Sequence, residues 1–168
     1  MPIRSRLILN ARSLQFYTIQ LDLMNEESRI KVILAKSWPH QEIVDLYQAA
    51  GWWKEEMDPG RVGDLMAASF AFALAIDIST GRAVGMGRVI SDGMADAYIQ
   101  DLVVAEEWRR WGVGRMILAK LLDECRNQKL TWIALIAEPG KEDFYRSMGF
   151  VPMPGHVPMI LSEGDERC

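Results

Sequence analysis

The residues whose types and spacing could do chemistry fall in two short blocks. Arg109-Arg110-Trp111-Gly112-Val113-Gly114 follows an apolar run, Ile99 to Val104, and precedes an amphipathic run from Arg115 to Gln128. Glycines at such a junction let backbone amides close on an anion, and those amides form the positive end of the helix that follows. The block reads as a cradle for a cofactor that carries a diphosphate. A dinucleotide-binding fingerprint needs a third glycine or alanine where Ile117 stands, and no Gly-Lys-Ser/Thr loop occurs. The second block, Asp143-Phe144-Tyr145-Arg146-Ser147-Met148-Gly149-Phe150, offers the phenol of Tyr145 as a proton donor, ordinarily with a pKa of about 10.

Four pieces stand in order: the strand-like Gln100-Asp101-Leu102-Val103-Val104 leading into the cradle, a helix, the apolar run Trp132 to Ala137, and the Phe-Tyr-x-x-x-Gly-Phe block at 144–150. In this order they resemble the GNAT superfamily of acyl-CoA-dependent N-acyltransferases, clearly from about Gly81 to Leu161. Gly85-Met86-Gly87-Arg88 and Ser91-Asp92 look most like small bacterial acetyltransferases and the plastid N-acetyltransferases that act on arylalkylamines and proteins.

The resemblance implies acetyl-CoA as cosubstrate and direct attack of a neutral amine on its thioester in a ternary complex. It puts the diphosphate on the amides of Trp111, Gly112, Val113, Gly114 and Arg115, the pantetheine along Leu102, Val103 and Val104 as if it were another strand, and Phe144 beside the cofactor. Arg109, Arg110 and Arg115 add positive charge near the phosphates, with solvated decoration of a helix start as the alternative. A backbone amide around Leu102 to Val103 would donate to the carbonyl oxygen as it gains charge. Tyr145 is the acid for the departing thiolate, the alternative being a packed aromatic at a helix end. Asp101 is the leading base, with Asp92 and Asp96 competing. It has the opposite strand parity from Leu102 and Val104, and it could act through water, attract an ammonium or be a hydrogen-bonded structural residue. His40 and His156 lie outside the matching motifs, and no metal-ligand spacing is present, so no metal is implied.

Acceptor choice in this superfamily resides between the first two helices and near the last strands. Trp52, Trp53 and Glu55, with Glu56, could wall an amine pocket and meet its cation, or form a hydrophobic clasp and a solvated charge pair. A small-molecule primary amine is the expected acceptor. Peptide or protein lysine and N-terminal acetylation, which needs an open groove, and a noncatalytic acyl-CoA-binding regulator are the alternatives.

The elements that must position these residues fit one domain of 168 residues, with 1–28 a leader that holds a possible extra strand and 29–168 the GNAT-like domain. A formal charge of −4 disfavours nucleic acid and suits a cationic acceptor. Leu65 to Ile78, the longest apolar stretch, is interrupted by Ser69 and Asp77 and too short for a bilayer, so a soluble cytoplasmic protein with no membrane partner is expected. Of the two cysteines, Cys125 shares the face of Leu118, Leu121 and Leu122 and reads as core, while Cys168 is terminal. A homodimer is compatible with the resemblance.

Periodicity gives a hairpin from Phe16 through the turn Asn25-Glu26-Glu27-Ser28 to a strand over Arg29 to Ala35. It then gives a helix from Ser37-Trp38-Pro39 to Gly51, a short helix over Val62 to Ser69, and strands over Phe70 to Ile78, Ala83 to Ile90 and Ala97 to Val104. After the cradle helix come Trp132 to Ala137 as a strand buried on both faces, a short helix over Lys141 to Ser147 ended by Gly149, and last strands at Phe150 to Met153 and Val157 to Leu161. The expected fold is α/β of the α+β kind: a mixed, mostly antiparallel twisted sheet with a splayed parallel strand pair and about four flanking helices.

Overall fold

The computed structural model describes residues 29–161. The leader at 1–28, the first arm of its hairpin and Cys168 lie outside the described residues. In chain order the elements are strand β1 (Ile30–Leu34), helix α1 (His40–Ala49), a 3-10 turn at Pro59–Arg61, helix α2 (Val62–Ala68) and strands β2 (Ala71–Asp77), β3 (Ala83–Ile90) and β4 (Asp96–Val104). A second 3-10 turn at Glu106–Trp108, helix α3 (Val113–Asn127), strand β5 (Trp132–Ala134) and helix α4 (Glu142–Arg146) complete them. The sheet has the order β1-β2-β3-β4-β5, antiparallel except for the parallel pair β4 and β5.

Strand β2 shows why the sheet has a helix layer on each side. Ala71, Ala73 and Ala75 turn to the α3 face, while Phe72 and Leu74 turn to the α1 and α2 face, so a run with no polar alternation is buried on both sides. The α3 face is made of small residues. A Cβ on Gly85 would stand 2.9 Å from Cδ1 of Ile117 and 3.0 Å from the Val103 carbonyl oxygen, and one on Gly87 would stand 3.1 Å from Cγ2 of Ile117. These glycines and alanines form a trough into which α3 lowers Ile117, Leu118 and Leu121, all fully buried. Cys125 lies on the same helix face as a core residue, and burial pushes its thiol up. On the other face Phe72, Leu74, Met86 and Val103 pack against Ile43, Leu46 and Tyr47 of α1 and against Val62 and Met66 of α2.

Beyond the cradle, some expectations are corrected. β5 covers Trp132–Ala134 only, and the expected run is not buried on both faces: Trp132 in the strand is 48% exposed and Ile136 beyond it is 61% exposed. The stretches expected as last strands, 150–153 and 157–161, are irregular. Pro152, Pro154 and Pro158 remove N–H donors along them, so this part of the chain cannot supply a continuous ladder to the outer edge of β5. Without that cover Trp132 of β5 meets solvent. Helix α3 also starts two residues earlier than Arg115, at Val113.

The splay appears between β4 and β5. They pair over Asp96–Tyr98 against Trp132–Ala134 and no further, while β4 continues to Val104 held by β3 alone. From Ile99 onward β4 has no strand partner on its β5 side.

Candidate active site

The floor of the wedge is a β-bulge. Met86 pairs with Val103 and Arg88 with Gln100, so Gly87 faces both Leu102 and Asp101. Asp101 takes the strain with φ of 55°, in the left-handed region. The extra residue resets the pleat. Ala97 and Ile99 face α3, and so do Leu102 and Val104, while Val103 joins the α1 face. A strict period of two would put Asp101 with Ile99; the bulge instead sends its carboxylate toward α1, where the Tyr47 hydroxyl donates to Oδ2 at 2.7 Å. Arg88 Nε pairs with the same oxygen, and Arg88 Nη2 donates to Gln100 Oε1 at 2.9 Å. The Arg88–Asp101–Tyr47 strut therefore ties β3, β4 and α1 together at the bulge. Asp101, expected as the leading base or as a hydrogen-bonded structural residue, is thus bonded through Oδ2 to two donors, which supports the structural reading. Burial, and after it the Asp101 hydrogen bond and charge, push the Tyr47 phenol far above its ordinary range, so it stays a donor.

The cradle sits where β4 gives way to α3. Gly112 caps the helix at φ of 79°, a conformation that favours glycine, and no side chain caps the first turn. The first turn carries no acidic residue. The leading amides of α3 therefore have neither an intrahelical partner nor a side-chain one, which is the condition for binding an anion. A Cβ on Gly112 would meet nothing within 4 Å, so the left-handed backbone rather than crowding calls for glycine here. Together with the free edge of β4, this arrangement fits a ligand with a diphosphate at one end and a strand-like arm at the other.

The arginines are placed differently from one another. Arg109 Nε donates to the Val104 carbonyl at 3.0 Å and so covers one of the backbone groups expected to face a ligand. Arg110, at φ of 66°, is exposed, and exposed Arg115 points one Nη toward Met148 Sδ at 3.7 Å. The Trp111 ring packs on Trp108 at 5.6 Å between centroids, and the Arg29 guanidinium lies 4.7 Å from the Trp108 ring.

Helix α4 brings the second block to the cradle. Phe144 lies against Gly114, where a Cβ would stand 3.5 Å from the ring, so glycine here lets α4 dock on the start of α3. Gly149 takes φ of 94°, and Phe150 N–H donates to the Tyr145 carbonyl at 3.1 Å, which turns the chain back on itself. Tyr145 is then held edge-on between Phe144, at 5.0 Å, and Phe150, at 6.0 Å. This explains the Phe-Tyr-x-x-x-Gly-Phe spacing: one aromatic docks, the next is clamped, and the glycine makes the reversal. Tyr145 also borders a cavity of about 500 Å³ between α3, β5 and α4, with Leu122, Ile133 and Phe150. Burial, and then the charge of Glu138, raise the Tyr145 phenol above its ordinary value.

The mouth of the wedge is aromatic. Tyr47 meets Trp52 at 6.4 Å and Trp53 at 6.3 Å, both half-buried just after α1. The carboxylate that Trp52 meets is not Glu55, which is exposed on the following turn, but Glu138: Trp52 Nε1 donates to Glu138 Oε1 at 3.2 Å. Sequence reasoning missed Glu138 because the partners are 86 residues apart. The legible signal was Pro139-Gly140 behind it. Gly140 at φ of 78° and the 3.0 Å bond from Lys141 N–H to the Glu138 carbonyl mark a tight turn that fixes where Glu138 stands.

Residues 35–157 match the family model described as an acetyltransferase (GNAT) domain. An uncharacterized N-acetyltransferase of Porphyra purpurea, ycf52, is 28% identical over 69% of this chain and 67% of its own length. The chloroplastic serotonin N-acetyltransferase 2 of Oryza sativa subsp. japonica is 37% identical over 47% of this chain and 40% of its own. Among solved structures, a GNAT-family acetyltransferase of Streptococcus pneumoniae superposes with a TM-score of 0.68 at 26% identity, covering 81% of this chain and 99% of that one. The mixed sheet with its one parallel pair agrees with these likenesses: the chain belongs to the GNAT superfamily and is an acetyltransferase.

Proposed function

We propose that the chain transfers an acetyl group from acetyl-CoA to the primary amine of a small molecule. The observation that carries this reading is the aromatic mouth: Tyr47, Trp52 and Trp53 stand together, and the Trp52–Glu138 hydrogen bond links the α1 side of the wedge to the β5 side. A bridged, aromatic-walled opening suits a compact amine better than an extended peptide, which needs an open groove.

In this reading the amides of Trp111 through Arg115 hold the diphosphate, and the edge of β4 from Leu102 to Val104, apart from the Val104 carbonyl that Arg109 covers, takes the pantetheine. When bound, acetyl-CoA supplies the activated acyl group. The bulge at Asp101 and Leu102 leaves backbone that is not paired one to one with β3, which is the kind of amide that can donate to a carbonyl oxygen as it gains charge. Tyr145 is the acid that protonates the departing thiolate. Its raised pKa keeps the proton on the phenol at neutral pH, where an acid must still carry it. Asp101 holds the bulge through Arg88 and Tyr47 rather than moving a proton.

Free-thiol release from acetyl-CoA across arylalkylamines, polyamines, amino acids and lysine peptides, with calorimetric CoA binding in parallel, tests the reading. Turnover of small amines above lysine peptides is expected. Turnover confined to peptides would transfer the assignment to protein acetylation, and CoA binding without turnover of any acceptor would transfer it to a regulator.

A further inference from the structure

The Gly85-Met86-Gly87-Arg88 block ends on a guanidinium that holds two consecutive residues of β4 at once. Arg88 Nη2 donates to Gln100 Oε1 at 2.9 Å, and Arg88 Nε pairs with Asp101 Oδ2. On a regular strand the side chains of Gln100 and Asp101 would project to opposite faces, and one group from the neighbouring strand could not reach both. The left-handed turn at Asp101, with φ of 55°, brings both beside Arg88. A residue with a Cβ disfavours that conformation by about tenfold, although aspartate tolerates it better than most. The guanidinium fork therefore stabilises the bulged backbone over a regular strand. The Arg88 and Asp101 side chains are only 18% and 21% exposed, which strengthens a charge-assisted bond between them.

From this grip we propose that Arg88 is a positioning residue for acetyl transfer: by clamping Gln100 and Asp101 together it holds the bulge in the conformation that aims the next backbone amide, that of Leu102, at the thioester carbonyl. The proposal rests on the reading of the protein as an acetyl-CoA-dependent transferase whose bulge amide meets the developing negative charge. It adds the side chain that sets the direction of that amide. A donor fixed before the reaction needs no reorganisation as the oxygen gains charge, whereas one that samples a regular strand is turned away for part of the time. The carbonyl is the same whichever amine attacks it, so Arg88 acts on kcat with every acceptor. Cofactor binding, which rests chiefly on the cradle, is largely spared.

The test follows free-thiol release from acetyl-CoA by the full chain, with tryptamine, spermidine and a lysine peptide as acceptors and calorimetric CoA binding alongside. Asp101→Gly and Asp101→Ala both remove the carboxylate, but only glycine takes the left-handed turn freely. The glycine variant should therefore keep a kcat about tenfold or more above that of the alanine variant. Arg88→Met should lower kcat about tenfold or more, with the KM for acetyl-CoA within about threefold of the parent. Joining Asp101→Gly to Arg88→Met should raise kcat again by about tenfold over Arg88→Met alone. This double variant leaves no unpaired charge at the bulge, so it is the one to read where Arg88→Met fails to fold. Ratios among the variants should be the same for every acceptor that the parent turns over. An unchanged kcat in Arg88→Met, or no recovery in the double variant, overturns the proposal. Equal loss in Asp101→Gly and Asp101→Ala also overturns it and returns Asp101 to the role of base. A parent that acetylates only the lysine peptide removes the small-amine reading and leaves this one standing, and a parent that acetylates none of the three removes both.

Discussion

The two sides of β4 meet their neighbours in opposite ways. Toward α3 the sheet is a dry trough in which each missing Cβ on Gly85 and Gly87 is matched by a side chain of the helix. Toward β5 the strand is abandoned after Tyr98, and what lies beyond is open, with glycine, arginine and half-buried aromatic residues around it. The trough uses close packing to hold the wedge open. A sheet that closed its ladder through to Val104 would bury the edge on which a strand-like ligand could lie, so the stability of the first region is what permits the incompleteness of the second.

The largest expected effect breaks the wedge while sparing the trough. Gly112→Glu places a carboxylate at the amides proposed to hold the diphosphate. The left-handed φ costs any non-glycine residue about 1 kcal/mol, partly offset because an acid at a helix start is favourable. The protein should therefore fold and lose CoA affinity by about a hundredfold or more, read by calorimetry. Gly112→Ala, with the same strain and no charge, should keep most of that affinity. Unchanged CoA binding in the glutamate variant would sink the cradle.

Next in size is Tyr145→Phe, which removes only a hydroxyl at the clamped position. A general acid contributes about a hundredfold or more, so kcat should fall by that order with the KM for acetyl-CoA nearly unchanged. The pH profile sharpens the assignment. An acid loses activity as pH rises through its pKa, and because burial and Glu138 raise the phenol, that loss should lie above the ordinary tyrosine value of about 10. The alkaline loss should be absent from the Phe variant. An equal kcat in the two proteins would reduce Tyr145 to a packed aromatic.

Gly85→Val tests the other side. Its first added carbon already meets Ile117 and the Val103 carbonyl, and backbone cannot yield as a flexible side chain can. Overpacking of this kind costs about 1–3 kcal/mol, and it should appear as a lower urea midpoint with an unchanged m-value. If the midpoint were unchanged, the trough would not be close-packed and the contrast with the wedge would lose its basis.

These regions also differ in how far the sequence announces them. The trough is written in local pattern: alternating alanines in β2, paired glycines in β3 and a helical stripe through Ile117, Leu118 and Leu121. The cradle and the Phe-Tyr-x-x-x-Gly-Phe block are equally local, because a glycine at positive φ and an aromatic a few residues away act through nearby backbone. Contacts between distant segments are not legible this way. Tyr47 and Asp101 are 54 residues apart, and the bulge that turns Asp101 toward α1 breaks the very period used to read the strand. The parity argument separated Asp101 from Leu102 and Val104, but it could not separate Asp101 from Ile99. Hydrophobicity misled at β5, since an apolar run reads as doubly buried whether or not a further strand arrives to cover it.

The smallest effect asks whether the strut at the bulge couples the two sides energetically. Tyr47→Phe removes the hydroxyl that bonds Asp101 while leaving the ring against Trp52 and Trp53. The carboxylate is not orphaned, because Arg88 stays on the same oxygen, so the cost should be about 1 kcal/mol rather than the full penalty of a buried unpaired charge. Asp101→Asn alone removes the ion pair and keeps an acceptor for Tyr47. In a double-mutant cycle the pair should show a coupling of about 1 kcal/mol in the denaturant midpoint, since each change alters what the other partner meets. Strict additivity would mean that α1 and the bulge are merely adjacent, and that the wedge is held open by the trough alone.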